Sequence, residues 1–373
     1  MTTSGESAEA QPLDRSMSLR RHVMSTAMRS FGGWGYRELQ VPLLQFFDAL
    51  RPGLDESQIE RSFRFVDRSG NLMILRPDTT PVIAQHVAQQ MRRPALPLRI
   101  SYTHKVVRVE RSFSRSELES YQIGIEHLGG DELTSDLEVL LVALEVLERI
   151  GLPGYRIALA DHRIAHHVLK ATGAPRRIRQ EVLRAIIARD ADDVRILMNR
   201  LGTRSHYVDA LTCLAVPDSG VEQLDELVRL MPGDSVLLDR RQHLRTIHET
   251  LQELGLGEHV DLQLGELGGE SYYTGIGFAL VCEGASRELG RGGRYDDLVG
   301  LFGRPTPGVG FALSLEALLQ TLHSQHGVVE PGPRAEDAVM VELTQPVDGL
   351  RAALERRRLG QAVRLVVRAG EGR

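Results

Sequence analysis

The sequence predicts an α+β fold carrying a helical insertion. Three observations carry this reading. Strand-like runs dominate as far as residue 162. Between residues 163 and 250 they fade and helical periodicity takes over. Strands then return, glycine-rich, with a helix between them. Such an order suits one sheet-containing core with helices inserted into it.

Residues 1–14, MTTSGESAEAQPLD, are polar and lack the apolar stretch of a signal peptide, so they read as a disordered leader. Met17, Leu19, Met24, Met28 and Phe31 recur at helical spacing and predict a helix over 15–32, ended by Gly32-Gly33. Gly35–Leu44 is strand-like but interrupted by Pro42, which belongs at an edge or bulge. Phe63–Asp67 and Leu72–Leu75 flank Ser69-Gly70 and predict a hairpin. Pro81–Met91 predicts a helix with Pro81 in its first turn. Leu98–Val107 reads as a strand and Ser120–Leu128 as its antiparallel partner, with the serine- and charge-rich loop Glu110–Glu119 between. Thr134–Ile150 is the clearest helix. Ser135-Asp136 stands near its start, Leu137, Leu140, Leu141, Leu144 and Leu147 share a face, and Gly151 ends it.

Helical runs follow at Arg176–Ala188, Ala191–Leu201 and Val221–Met231. Strands return at Val260–Leu264 and Gly275–Cys282. Gly290–Gly293 reads as a glycine-rich turn and Phe311–Leu322 as a helix. Beyond a linker at Glu330–Arg334, a strand (Ala338–Glu342), a helix (Val347–Arg358) and a strand (Ala362–Val367) predict a small β-α-β appendage. The expected organisation is a core over 15–162 and 251–325, an insertion over 163–250 and an appendage over 335–373.

The 373 residues, 42% hydrophobic and 25% charged, have ordinary globular composition and suffice for two or three domains. A net charge of −5 argues against a protein that coats nucleic acid, though a local basic groove stays open. Cys213 and Cys282 give neither a disulfide framework nor a zinc spacing, and both are expected to be buried or half-buried. No run of ~18 apolar residues predicts a transmembrane helix. A cytoplasmic location is expected.

Four constellations carry candidate chemistry. In RPDTTPVIAQ at Arg76–Gln85, Asp78, Thr79 and Thr80 can cap a helix start. Alternatively, Asp78 accepts from an ammonium group and Thr80 offers a hydroxyl. Arg108, Glu110 and Arg111 form an R-x-E-R run after a strand, either a solvated face or a planar donor fork for an anion. Gln122 and Glu126 then share one face of the next strand, with Ile123 and Ile125 on the other. That face is either exposed and polar or suited to a small polar ligand. In LGGESYYTGIG at Leu267–Gly277, Tyr272-Tyr273 serve core packing or ligand contact. The fourth is GRGGRYDDLVGLFG at Gly290–Gly303, followed by GVGFALSLEALL at Gly308–Leu319. His162, His166 and His167 lack a third metal ligand at suitable spacing, and Asp161 beside them reads as a cap. No metal is expected. RRQHLR at Arg240–Arg245 reads as a solvated helix face.

Taken in order, these motifs resemble the class II aminoacyl-tRNA synthetases. Arg108–Glu126 resembles motif 2, most closely that of histidyl-tRNA synthetase, and Gly308–Leu319 resembles motif 3. The likeness covers Gly35–Ala160 and Asp261–Leu319. It implies a class II synthetase-like antiparallel sheet flanked by helices. It also implies a histidine site at Asp78, Thr79, Thr80, Arg108, Gln122, Glu126, Tyr272 and Tyr273. Position 78 is aspartate where the family has glutamate. Arginines of the family are absent at Leu118, Gly268 and Ala317. Loss of one preorganised donor to developing charge typically costs ~10²–10³ in rate.

The combination is more similar to the synthetase-derived regulatory subunits of ATP phosphoribosyltransferase than to an active ligase. That resemblance implies no catalytic residue and no cofactor on this chain. It implies a short-form catalytic ATP phosphoribosyltransferase subunit as partner and histidine as feedback effector. A homodimer within a hetero-oligomer follows, with neither membrane nor nucleic acid as partner. The alternatives are a histidyl-tRNA ligase with altered motifs, or a synthetase paralogue acting as a histidine sensor.

Overall fold

The helix expected over 15–32 spans Pro12–Gly33 (α1), so residues 12–14 of the expected leader are helical. The computed structural model describes residues 12–91, 94–109, 118–216, 220–268, 271–326, 339–342 and 363–366. Residues 1–11 and the helix expected at Val347–Arg358 lie outside this set. Residues 23–325 group into one unit, and residues up to 22 and from 326 onward into a second.

The strand expected at Gly35–Leu44 divides at its proline. Arg37–Glu38 (β1) joins the main sheet, and Leu44–Phe46 (β2) joins a small one. Proline donates no ladder bond, so one strand cannot run through Pro42. Phe47–Leu50 (α2) and Glu56–Glu60 (α3) follow. A capping box starts α3: the Asp55 carboxylate accepts from the Gln58 N–H at 2.8 Å, and Gln58 Oε1 accepts from the Asp55 N–H at 3.2 Å. The expected hairpin forms from Arg64–Val66 (β3) and Leu72–Leu75 (β4), with Arg64 opposite Ile74. Asp67 closes its turn by accepting from the Ser69 and Asn71 N–H groups, both at 2.8 Å.

Thr79–Gln89 is α4, capped by Asp78. Leu98–Val107 (β5) and Glu119–Leu128 (β6) pair antiparallel as expected, placing Ile100 opposite Glu126 and His104 opposite Gln122. Residues 110–117 of the connecting loop, including Glu110 and Arg111, are outside the described residues. Glu132–Ile150 is α5. Its cap is Asp131, accepting from the Thr134 N–H at 2.9 Å, rather than Ser135-Asp136. Ser135 and Asp136 are instead buried and bonded to Arg294. Gly151 closes α5 at φ +83°, a left-handed conformation that favours glycine.

Tyr155–Asp161 (β7) leads into six helices: His162–Ala171 (α6), Arg176–Ile187 (α7), Ala191–Arg200 (α8), Ser205–Leu214 (α9), Val221–Leu230 (α10) and Ser235–Glu253 (α11). Asp161 caps α6 by accepting from the Arg163 N–H at 2.8 Å. The Arg240–Arg245 run on α11 is not wholly a solvated face. Arg240 is 4% exposed and donates to Glu132 at 2.7 Å, and His243 bonds Asp136 at 2.8 Å.

Val260–Leu262 (β8) and Ile276–Cys282 (β9) match expectation closely. The next two elements do not. Gly290–Arg294 is a strand (β10), not a turn. A Cβ at Gly292 would lie 2.3 Å from Phe278 Cζ and 2.6 Å from the Gly310 carbonyl, so glycine permits close approach of the flanking strands. Gly308–Ser314 is also a strand (β11), and only then does Leu315–His326 (α12) begin. Phe311–Leu313 is claimed by ladders on both sides, to β6 and β10, and Ser314 by β6. Finally Val339–Glu342 (β12) and Val363–Val366 (β13) pair in parallel.

The main sheet has the order β1-β5-β6-β11-β10-β9-β7-β8, and the small one β2-β4-β3. The six central strands are mutually antiparallel; only the terminal pairs β1–β5 and β7–β8 are parallel. Helix α5 lies against β6, β7 and β11. The inward residues Ile123 and Ile125 of β6 are fully buried. The alternate residues of β6 face a cavity. Cys213 is half-buried and Cys282 buried, both as free thiols.

Candidate functional site

The cavity holds about 720 Å³ and lies over the centre of the main sheet. Its lining includes Asp78, Thr80, Arg108, Gln122, Glu126, Tyr272 and Tyr273, so seven of the eight expected site residues meet there. The eighth, Thr79, stands behind them in the first turn of α4. Its N–H donates to Asp78 at 2.8 Å and to Gln122 Oε1 at 3.0 Å.

Asp78 serves both readings of its sequence at once. Oδ1 caps α4 and accepts from Gln122 Nε2 at 3.1 Å, with Arg108 Nη2 at 3.7 Å. Oδ2 accepts from the Tyr272 hydroxyl at 2.9 Å and from Gln58 Nε2 at 3.3 Å. The carboxylate is thus fixed by neighbours on α3, α4 and β6 and by Arg108 and Tyr272 from the connecting segments. Arg108 also donates to the Pro77 carbonyl.

Glu126 is the deepest acid of the cavity, 1% exposed. Oε1 accepts from the Thr80 hydroxyl at 2.7 Å and from the Tyr102 hydroxyl at 3.2 Å. Oε2 meets the Tyr295 hydroxyl. Gly310 lies opposite Glu126 in the ladder, and a Cβ there would come within 2.2 Å of Oε2. Burial pushes the carboxyl up to about 8, with the Asp78 charge adding to it and the three hydroxyls opposing it. A cationic ligand group would favour the ionised form.

Of the tyrosine pair, Tyr272 reaches Asp78, while Tyr273 is 9% exposed and packs edge-on against His162 at 5.4 Å between ring centres. Tyr102, Tyr295 and Gln58 were not read as site residues. Tyr295 stood in the quoted GRGGRYDD run, and Gln58 showed only the spacing of a capping box.

The rest of the cavity has different chemistry. Leu118 and Ala317 lie outside its lining, and the Leu118 carbonyl accepts from the Arg108 N–H at 3.0 Å. Ala317 is 1% exposed in the first turn of α12. Glu119, Glu288 and Glu316 line this part beside Arg287 and Arg291. Carboxylates there disfavour a polyphosphate.

Elsewhere, His167 bonds Asp234 at 2.8 Å and His162 is buried, its ring held far below the usual range at about 3 by burial. Among the described residues, Glu132, Asp136 and His243 are close enough to share a metal ion. Arg294 donates to Asp136 at 2.6 Å and Arg240 to Glu132 at 2.7 Å, so arginines already neutralise that cluster.

The family model described as histidyl-tRNA synthetase matches residues 10–318. An ATP phosphoribosyltransferase regulatory subunit of Geobacter metallireducens is 33% identical over 90% of this chain and 76% of its own length. Among solved structures, an ATP phosphoribosyltransferase regulatory subunit/histidyl-tRNA synthetase from Bacillus halodurans aligns with a TM-score of 0.83 at 22% identity, covering 100% of this chain and 95% of that one. A chain of the ATP phosphoribosyltransferase complex from Thermotoga maritima aligns with a TM-score of 0.60 at 20% identity, covering 80% of this chain and 97% of that one. At those identities the structures show the shared fold. The chain belongs to the family described by the histidyl-tRNA synthetase model and, within it, to the ATP phosphoribosyltransferase regulatory subunits.

Proposed function

We propose that this regulatory subunit senses free histidine in its cavity and conveys that signal to a short-form catalytic ATP phosphoribosyltransferase subunit. The family places the chain at the first step of histidine biosynthesis as the non-catalytic member. The carrying observation is the contrast between the lining of the cavity and three positions of the family pattern outside it. Asp78, Gln122 and Tyr272 form one hydrogen-bonded set and Glu126, Thr80, Tyr102 and Tyr295 a second beside it, together suited to an amino acid. The positions where the family resemblance expects phosphate- and charge-handling arginines hold Leu118, Gly268 and Ala317. Asp78 and Gln122 suit the ligand's ammonium group. Glu126, with Thr80 and the tyrosine hydroxyls, suits its ring.

The catalytic partner is inferred from likeness to the Thermotoga maritima complex and to the named regulatory subunits. The proposal includes a homodimer. The small β2-β4-β3 sheet carries exposed Leu44, Phe46, Phe65, Val66 and Leu72, a concentration of apolar surface that a second copy would cover. It further treats 163–250 as an insertion into the core and 335–373 as an appendage. Among the described residues no helix is long and apolar enough to cross a membrane, and a cytoplasmic location is part of this reading.

The test is co-expression with a short-form catalytic subunit. The expected result is co-purification and a transferase activity that needs this chain and falls on addition of histidine. Robust histidine-dependent ATP–pyrophosphate exchange by this chain alone would establish a ligase instead.

A further inference from the structure

We propose that Arg291 recognises the ligand's carboxylate, so that the cavity selects a free α-amino acid over analogues whose carboxylate is blocked or missing. The inference rests on the reading of the cavity as a histidine site.

Three arginines line the cavity: Arg108, Arg287 and Arg291. Arg108 is engaged by the Pro77 carbonyl and Asp78, and Arg287 is exposed. Arg291 alone combines partial burial with a fixed base. Its side chain is 27% exposed, and its backbone lies in β10 between Ala279 of β9 and Ala312 of β11. Gly268 makes room for its guanidinium. A Cβ at 268 would stand 2.9 Å from both Nη1 and Nη2. A side chain at 268 would have to shift that group.

Two carboxylates hold the fork. Glu266 accepts from Nη1 at 3.0 Å, and Glu288 accepts from Nη2. Glu266 is 22% exposed and Glu288 is 41% exposed. Exposed ion pairs contribute little. A ligand carboxylate can therefore replace Glu288 while Glu266 keeps the guanidinium aimed. The planar fork suits a carboxylate with two parallel N–H bonds. With Asp78 taking the ammonium group, the two charges of an amino-acid zwitterion are matched separately.

Calorimetry on the full chain with histidine, histidinamide and histidinol tests this. The intact chain is expected to bind histidine about 10- to 100-fold more tightly than either analogue. Arg291→Gln should weaken histidine by that factor, leave histidinol unchanged and bring the ratio near one. Arg291→Lys should retain part of the preference, and serves as the second variant should Arg291→Gln fold poorly. Asp78→Asn should weaken histidine and histidinol alike. A ratio near one in the intact chain, or full preference surviving in Arg291→Gln, overturns the role of Arg291. If Asp78→Asn still weakens binding in that case, the histidine site itself stands. Absence of histidine binding by the intact chain overturns both.

Discussion

Replacing Glu126 by glutamine should remove the part of the pH-dependent stability that this carboxyl carries. The carboxyl is buried, and its proton affinity rises from an ordinary 4.5 to about 8 in the folded chain. Below 4.5 the group is protonated both folded and unfolded and contributes no difference. Between 4.5 and about 8 the unfolded chain releases the proton while the folded chain keeps it. Stability from this group therefore falls as pH rises across that window, and the penalty is complete above it. Each tenfold change in proton affinity is worth about 1.4 kcal/mol, so the whole span amounts to roughly 5 kcal/mol. Glu126→Gln keeps the side-chain volume, one acceptor for Thr80 and Tyr102, and a donor toward Tyr295. Urea unfolding of the intact chain and the variant, compared from about pH 5 to about pH 9, measures the gap. The variant is expected to gain relative stability progressively as pH rises. Parallel stability curves would refute the reasoning, because they would show that the three hydroxyls already hold Glu126 ionised.

Four further outcomes follow from contacts elsewhere in the fold. Arg294→Ala strips the arginine partner from Asp136, whose side chain is 0% exposed and keeps only His243 among the described residues, and should cost about 3–5 kcal/mol in urea unfolding. Asp261→Ala breaks the Arg156 pair, whose side chains are 53% and 41% exposed, and should cost less than about 1 kcal/mol. Gly292→Ala forces a methyl group against Phe278 and the Gly310 carbonyl and should destabilise by about 1–3 kcal/mol, read from the shift in urea midpoint. Ala317→Arg places a cation at a position 1% exposed; it should lower the melting temperature without producing histidine-dependent pyrophosphate exchange, and appearance of exchange would count against the regulatory reading.

The legible parts of the sequence were those fixed locally. The hairpin around Ser69-Gly70, the strand pair β5–β6 and helix α5 all announce themselves through alternation, helical spacing or turn residues. Gln122 and Glu126 could be placed on one face from their spacing alone. What failed was fixed by distant partners. Gly290–Gly293 looks like a turn because nothing nearby in sequence reveals Phe278 and Gly310. The apolar run from Phe311 fits both a strand and a helix, and its ladders to β6 and β10 decide between them. Arg240 looked solvated because its partners Glu132 and Asp161 lie on other elements. Tyr295 reaches Glu126 across 169 residues of chain, a pairing that no local pattern encodes.

The contrast between the lining of the cavity and the three family positions outside it has an energetic meaning. Contacts to a resting ligand lower its free energy whether or not chemistry follows, whereas catalysis needs contacts that strengthen as charge develops. In the proposed reading, Asp78, Gln122, Glu126 and Tyr272 are of the first kind. The arginines expected from the resemblance at 118, 268 and 317 are of the second. A cavity retaining the first kind and lacking the second is suited to binding without activation. To become a signal, binding must also favour one state of the assembly over another. Asp78 has the contacts for such coupling, because one carboxylate both caps α4 and lines the cavity. Arg291 lacks that double engagement, since its guanidinium meets only the Glu266 and Glu288 side chains among the described residues. Changing Asp78 should therefore alter stability and histidine affinity together, while changing Arg291 should alter affinity with little effect on unfolding. Measuring both quantities on both variants separates a residue that links the site to the fold from one that only reads the ligand.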